Sequence, residues 1–198
     1  MTQEPGDLTQ WLQRMASGDP RALDEVVRLV YDELRALAGA RLRSERDDHT
    51  LSATALVNEA YLRLSQAHRI GAADRHQFFA VAANTMRRIL VDYARTRKRL
   101  KRGGGAPHET LDEEAMFLSV EEADEVVALD KALTRLEALN PRAARVVELR
   151  FYAGLPVEEA ATVLDVSAKT VQRDWIASRA WLRKEVALQL ADPPVADG

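Results

Sequence analysis

Residues 156–182 read PVEEAATVLDVSAKTVQRDWIASRAWL. Pro156 suits the opening of a helix, and apolar residues then recur at Ala160, Ala161 and Leu164. Asp165, Val166 and Ser167 interrupt the pattern. Beyond them Val171, Trp175, Ser178 and Leu182 return at i, i+4, i+7 and i+11, the spacing of one helix face. Ser167 precedes this second helix as its cap, because its hydroxyl can accept from the free N–H groups of the first turn. A short helix, a tight turn and a longer helix are the parts of a helix-turn-helix. On a helical wheel Lys169, Arg173 and Ile176 fall opposite the packed stripe, flanked by Thr170 and Gln172. Side chains of these types reach base edges and phosphates in a major groove. Taken alone, the segment also fits a plain helical hairpin with a solvated basic face.

Helical periodicity continues on both sides, and no alternating β-branched run predicts a strand. Downstream the second helix runs to about residue 190. Upstream, Val126, Val127, Leu129, Leu133, Leu136 and Leu139 line one helix, which Asn140-Pro141 stops. Pro141 opens the next, expected to bury Ala144, Val147, Leu149 and Phe151 and to close at Gly154. Nearer the N-terminus, Asp19-Pro20 starts a helix whose stripe is Leu23, Val26, Val27, Val30, Leu34 and Leu37. A polar break at 43–50 precedes a helix over about 53–66, with Leu56, Val57, Ala60, Tyr61 and Leu64 on one face. A loop is expected over 68–75, then a long helix over 77–98. That helix buries Phe79, Ala82, Met86, Ile89, Leu90 and Tyr93 and carries Asn84, Arg87, Arg88 and Arg95 on the opposite face. Phe78, Phe79 and Tyr93 are also of a type that stacks on unpaired bases, although Phe79 and Tyr93 sit in the apolar stripe. Gly103-Gly104-Gly105-Ala106-Pro107 ends the long helix, and 103–122 reads as a flexible linker. The fold expected is all-α: two small helical modules joined by a flexible acidic linker, the C-terminal one a helix-turn-helix.

Charge is sorted along the chain. The net charge of −3 hides nine basic residues between 75 and 102, opposed only by Asp92. Residues 109–130 then carry nine acidic residues and no basic one, and 168–184 hold five basic residues against Asp174. A chain neutral as a whole and polarised in segments is one form a nucleic-acid binder takes.

Other function classes lack a carrier. Cysteine is absent, which excludes a disulfide scaffold, a cysteine nucleophile and a thiolate metal site. His49, His68, His76 and His108 are scattered without metal-ligand spacing, so no metal and no cofactor is expected. No nucleophile elbow, Walker loop or dinucleotide fingerprint occurs, so the chain is not read as an enzyme. No apolar run approaches the roughly 20 residues of a membrane span, and Glu4 and Asp7 do not suit a signal peptide. A cytoplasmic protein without membrane contact is expected.

Four stretches in this order resemble one family: LVYDELR (29–35), ALVNEAYLRL (55–64), MRRILVDYAR (86–95) and AWLR (180–183). The chain is similar to the extracytoplasmic-function (ECF) sigma factors of bacterial RNA polymerase, from about residue 8 to 190. That resemblance implies a region-2 module over 8–102, a linker over 103–122 and a region-4 helix-turn-helix module over 123–190. It implies core RNA polymerase as partner, through the β′ clamp helices and the β flap, together with promoter DNA; an anti-sigma factor is a common further partner. The clamp-docking helix corresponds to 55–64, with Asn58 and Glu59 where the family has a Gln-Glu pair. Asn84, Arg87, Arg88 and Arg95 correspond to the surface that melts the −10 element. Lys169, Thr170, Gln172, Arg173 and Ile176 correspond to the surface that reads the −35 duplex. Asp165 stands where the family's turn commonly has glycine, and Asp tolerates left-handed backbone better than most residues.

The alternative reading is a helix-turn-helix regulator whose N-terminal half senses a signal or forms a dimer. A regulator needs neither a melting surface nor a clamp-docking helix. The acidic connector leaves three roles open: insertion into the positive polymerase cleft, folding back onto the basic helix, or spacing two modules.

Overall fold

A computed structural model of the chain describes residues 5–40, 49–67, 70–72, 74–101 and 120–191. The described residues form nine α-helices and no strand: α1 (Pro5–Ala16), α2 (Ala22–Leu29), α3 (Tyr31–Gly39), α4 (His49–Ser65), α5 (Arg75–Lys101), α6 (Val120–Leu139), α7 (Pro141–Val147), α8 (Val157–Leu164) and α9 (Ala168–Ala191). The fold is all-α. Two compact units divide it, Met1–Ile89 with Tyr152–Leu155 in one and Leu90–Phe151 with Pro156–Gly198 in the other. The glycine-rich stretch 103–107 and the acidic residues Asp112, Glu113 and Glu114 lie outside the described residues.

In the first unit α1 packs on α2, and α3 on α4. Helix α1 was not anticipated, yet Leu8, Trp11, Leu12 and Met15 repeat at i, i+3, i+4 and i+7 and bury Leu12 and Met15. One helix was expected from Asp19 to Leu37, and the chain instead makes two, broken at Val30 (φ −114°, ψ 17°). The Val30 N–H still donates to the Val26 carbonyl at 3.1 Å, and the Leu34 N–H to the Val30 carbonyl at 2.9 Å. The stripe therefore passes through the break in register, and Leu23, Val26, Val30, Leu34 and Leu37 are all buried. Asp19 acts ahead of α2: its carboxylate accepts from the Arg21 N–H at 2.9 Å and from Arg14 Nε at 2.8 Å. The Arg21 N–H first and the Arg14 guanidinium second hold this carboxyl below the usual aspartate range. The link thus persists under mild acid and is lost only as pH falls through that lowered value. Across the unit the Tyr61 hydroxyl donates to Asp24 at 2.8 Å, tying α4 to α2 and pushing the phenol's titration up.

In the second unit α6 packs on α7 and α9, α7 on α9, and α8 on α9. The Asn140 side chain accepts from the Ala143 N–H at 3.1 Å, and Pro141 fills the first helical position of α7. Continuous α-helix to Gly154 was expected here, but residues Glu148–Tyr152 form a π-helical turn. The wider turn shifts the register by one residue. Tyr152 is consequently buried where Phe151 was expected, and Phe151 is left half-buried.

Between α8 and α9 the chain reverses through Asp165, which takes the left-handed conformation (φ 52°, ψ 47°). The Asp165 N–H donates to the Thr162 carbonyl at 3.3 Å and the Val166 N–H to the Ala161 carbonyl at 3.1 Å, closing the end of α8. Ser167 then opens α9, its hydroxyl accepting the Thr170 N–H at 3.1 Å. Because a side chain bears strain in this left-handed position, Asp165→Gly will leave the melting temperature unchanged or raised. Asp165→Val will lower stability by about 1–2 kcal/mol, read by urea unfolding. Equal stability of the two variants would contradict the turn.

Candidate nucleic-acid interface

Helix α9 carries the clearest surface. Its packed face is Val171, Asp174, Ser178 and Leu182, all buried. The half-buried Trp175, expected in that stripe, instead stacks against two guanidiniums, with Arg150 5.7 Å and Arg179 5.5 Å from its ring centroid. The packed positions thus fall at i, i+3, i+7 and i+11, a rotation that puts a carboxylate inside and an indole at the margin. Opposite them Lys169, Gln172 and Arg173 are exposed, Thr170 is half-buried, and Ile176 is 61% exposed. All five candidates therefore share one side of a single rigid helix. An isoleucine this exposed, set among cations and an amide, matches the mixed apolar and hydrogen-bonding character of major-groove base edges.

Helix α5 is less simple. Besides the expected Phe79, Ala82, Met86, Ile89 and Leu90, it buries Phe78, Ala80, Ala83, Val91 and Ala94. Phe78 is 1% exposed, in edge contact with Phe79 at 6.1 Å, so it is core and does not serve as a stacking platform. Tyr93 is half-buried. Asn84, Arg87, Arg88 and Arg95 lie along one side, but unequally. Arg88 and Arg95 are exposed, while Asn84 and Arg87 are half-buried. Arg87 lies 5.5 Å from the ring centroid of Tyr152. Arg95 and Lys98 meet acidic partners from α6: Arg95 to Asp130 at 3.1 Å, and Lys98 to Asp124 at 2.6 Å. The end of the acidic stretch thus lies on the end of the basic one.

On α4, Asn58 is exposed and Glu59 is half-buried, with Arg63 Nε 3.2 Å from the Glu59 carboxylate. Leu62 is 51% exposed and falls on the same side, one turn beyond Asn58. Sequence reading passed over Leu62, Arg142 and Asp174. The signals were present: Leu62 stands off the apolar face of its helix, and Asp174 is the lone acid in a basic segment. Among the described residues no group of three or more His, Asp or Glu could hold a metal ion. No helix there is long and apolar enough to cross a membrane.

The family model for ECF sigma factors matches residues 5–188 of the 198. No single curated protein matches the chain. Members of this family have no catalytic centre; they bind core RNA polymerase and promoter DNA and set where transcription begins. With the match spanning both units, the chain belongs to the ECF sigma factor family and acts in promoter recognition and transcription initiation.

Proposed function

We propose that α9 reads the −35 duplex through Lys169, Thr170, Gln172, Arg173 and Ile176. The supporting observation is that all five stand on one side of a helix whose other side is buried. On the same reading, residues 8–102 form the region-2 module, 103–122 the linker and 123–190 the region-4 module, which also meets the β flap. Asn84, Arg87, Arg88 and Arg95 face the −10 strand. Asn58 and Glu59, with the exposed Leu62 beside them, dock on the β′ clamp helices; an apolar side chain ringed by polar ones suits a protein partner. Run-off transcription tests the whole. The protein added to core polymerase starts transcripts at a cognate promoter; tight duplex binding without initiation would favour a plain regulator.

Arg173→Ala will lower transcription about tenfold or more, because a lost bidentate base contact costs about 1–3 kcal/mol. Affinity for core polymerase will stay. An equal loss on promoters with scrambled −35 sequence would mean that Arg173 touches phosphate only.

Asn84→Ala will impair opening and leave docking intact. The measurement is permanganate reactivity of −10 thymines in the holoenzyme complex. Wild-type reactivity in the variant would remove Asn84 from the melting surface.

Arg95 and Lys98 pair with Asp130 and Asp124 of α6, beyond the 103–122 connector, and a nucleic-acid strand and α6 would compete for these cations. Exposed pairs are individually worth about 0–1 kcal/mol. Asp124→Asn combined with Asp130→Asn will therefore raise the affinity of the free protein for single-stranded DNA about three- to tenfold at low salt. The gain will shrink as salt screens the pairs. Unchanged affinity at low salt would show that these carboxylates do not compete with DNA.

A further inference from the structure

Asp174 sits on the candidate reading helix, yet its side chain is only 8% exposed. Its carboxylate faces two arginines from different elements. Arg142, in the first turn of α7, brings Nε to 2.8 Å from Oδ2. Arg173, the neighbour on α9, brings Nε to 3.5 Å from Oδ1, a looser ion pair that is not a hydrogen bond. The arginine side chains themselves are 47% and 71% exposed.

In both cases the closest nitrogen is Nε, beside the side-chain stem. The Nη1–Nη2 edge of each guanidinium is thus left as a paired donor, the geometry that grips the two acceptors of a guanine or two phosphate oxygens. A buried carboxylate suffers desolvation, and an apolar residue in its place would pack α9 without that cost. Val171 and Leu182 do so on the adjoining face. An apolar residue could not hold two flexible cationic side chains in one geometry. An unheld arginine loses rotamer freedom when it binds, and an arginine already held loses less.

The wheel position agrees. Asp174 is the edge of the packed face nearest Thr170 and Arg173. The far side of the reading face has its own held arginines, Arg150 and Arg179 against Trp175.

We propose that Asp174 is a positioning residue for −35 recognition, its carboxylate holding Arg173 and Arg142 as a fork on one flank of α9. Arg173 then meets a base edge, and Arg142, which is off the helix, meets the adjoining phosphate. This inference rests on the reading of α9 as the −35 helix.

The test is selection by holoenzyme, assembled from the full chain and core polymerase, on promoter fragments randomised across the −35 element. Asp174→Asn keeps the shape of the side chain and removes its charge. Base preference will fall about three- to tenfold at the base pair where Arg173→Ala also loses it. Arg173→Ala with Asp174→Asn will be no less selective than Arg173→Ala alone. Binding to scrambled duplex will hold or rise, because a negative charge has left the interface. Unchanged selection by Asp174→Asn overturns the proposal, as does an equal fall on selected and scrambled DNA, which a packing role alone would give. Should Asp174→Asn not fold, Asp174→Glu keeps the charge and moves it by one methylene. Unchanged selection there overturns the proposal equally, and weakened selection at the Arg173 position supports it. If Arg173→Ala leaves selection intact, the −35 reading of α9 itself fails, and the positioning role with it.

Discussion

Reversing the chain between α8 and α9 within three residues forces one backbone position into the left-handed region, and Asp165 occupies it. The start of α9, and with it the surface proposed for the −35 duplex, depends on this turn. It brings the Val166 N–H back onto the Ala161 carbonyl and delivers Ser167 to the start of α9, where its hydroxyl takes up the Thr170 N–H. A longer or differently bent turn would rotate α9, and at 3.6 residues per turn a modest rotation exchanges buried and exposed positions. The left-handed aspartate thus sets where α9 begins and the direction in which it leaves the turn.

The long helix α5 answers a different constraint. Its charge suggests a solvated surface, and its apolar content suggests a core; both are present on the same turns. Phe78, Phe79, Met86, Ile89 and Val91 are removed from water while Arg88 and Arg95 remain exposed. Half-buried arginines such as Arg87 reconcile the two, laying the stem along apolar surface and setting the guanidinium against an aromatic face. A helix held this firmly is a rigid support for the exposed cations along it.

Electrostatics organise the second unit at two depths. At the surface, Arg95 and Lys98 pair with Asp130 and Asp124, contacts that salt and competing polyanions weaken. Below it, the Asp174 carboxylate is screened from water and bound to Arg142, a contact that salt reaches far less. The same chemical pair therefore stands open to solvent in one place and shielded from it in another. Depth makes the difference, because solvent dielectric sets the strength of both attraction and desolvation.

The all-α architecture, most of the helices and the exposed side of α9 were all legible in the amino-acid sequence. Caps and periodicity are local properties: Asn140-Pro141, Ser167 and the stripe of Leu133 and Leu136 act within a turn or two of themselves. The four family-like stretches likewise stand in the chain as written. Tertiary structure alone decided the rest. The break at Val30 leaves the apolar period intact and so left no trace in the pattern. The π-helical turn at Glu148–Tyr152 exchanged Phe151 for Tyr152 in the core, two aromatics that a pattern cannot rank. Trp175 and Asp174 exchanged roles because a rotation of less than a third of a turn brought the carboxylate beneath Arg142, which is 32 positions away in the chain. Local hydrogen bonding and hydrophobic period determine where helices begin and which side is broadly apolar. The rotation of each helix about its axis is settled by partners distant in sequence, and on that rotation the final choice of exposed side chains depends.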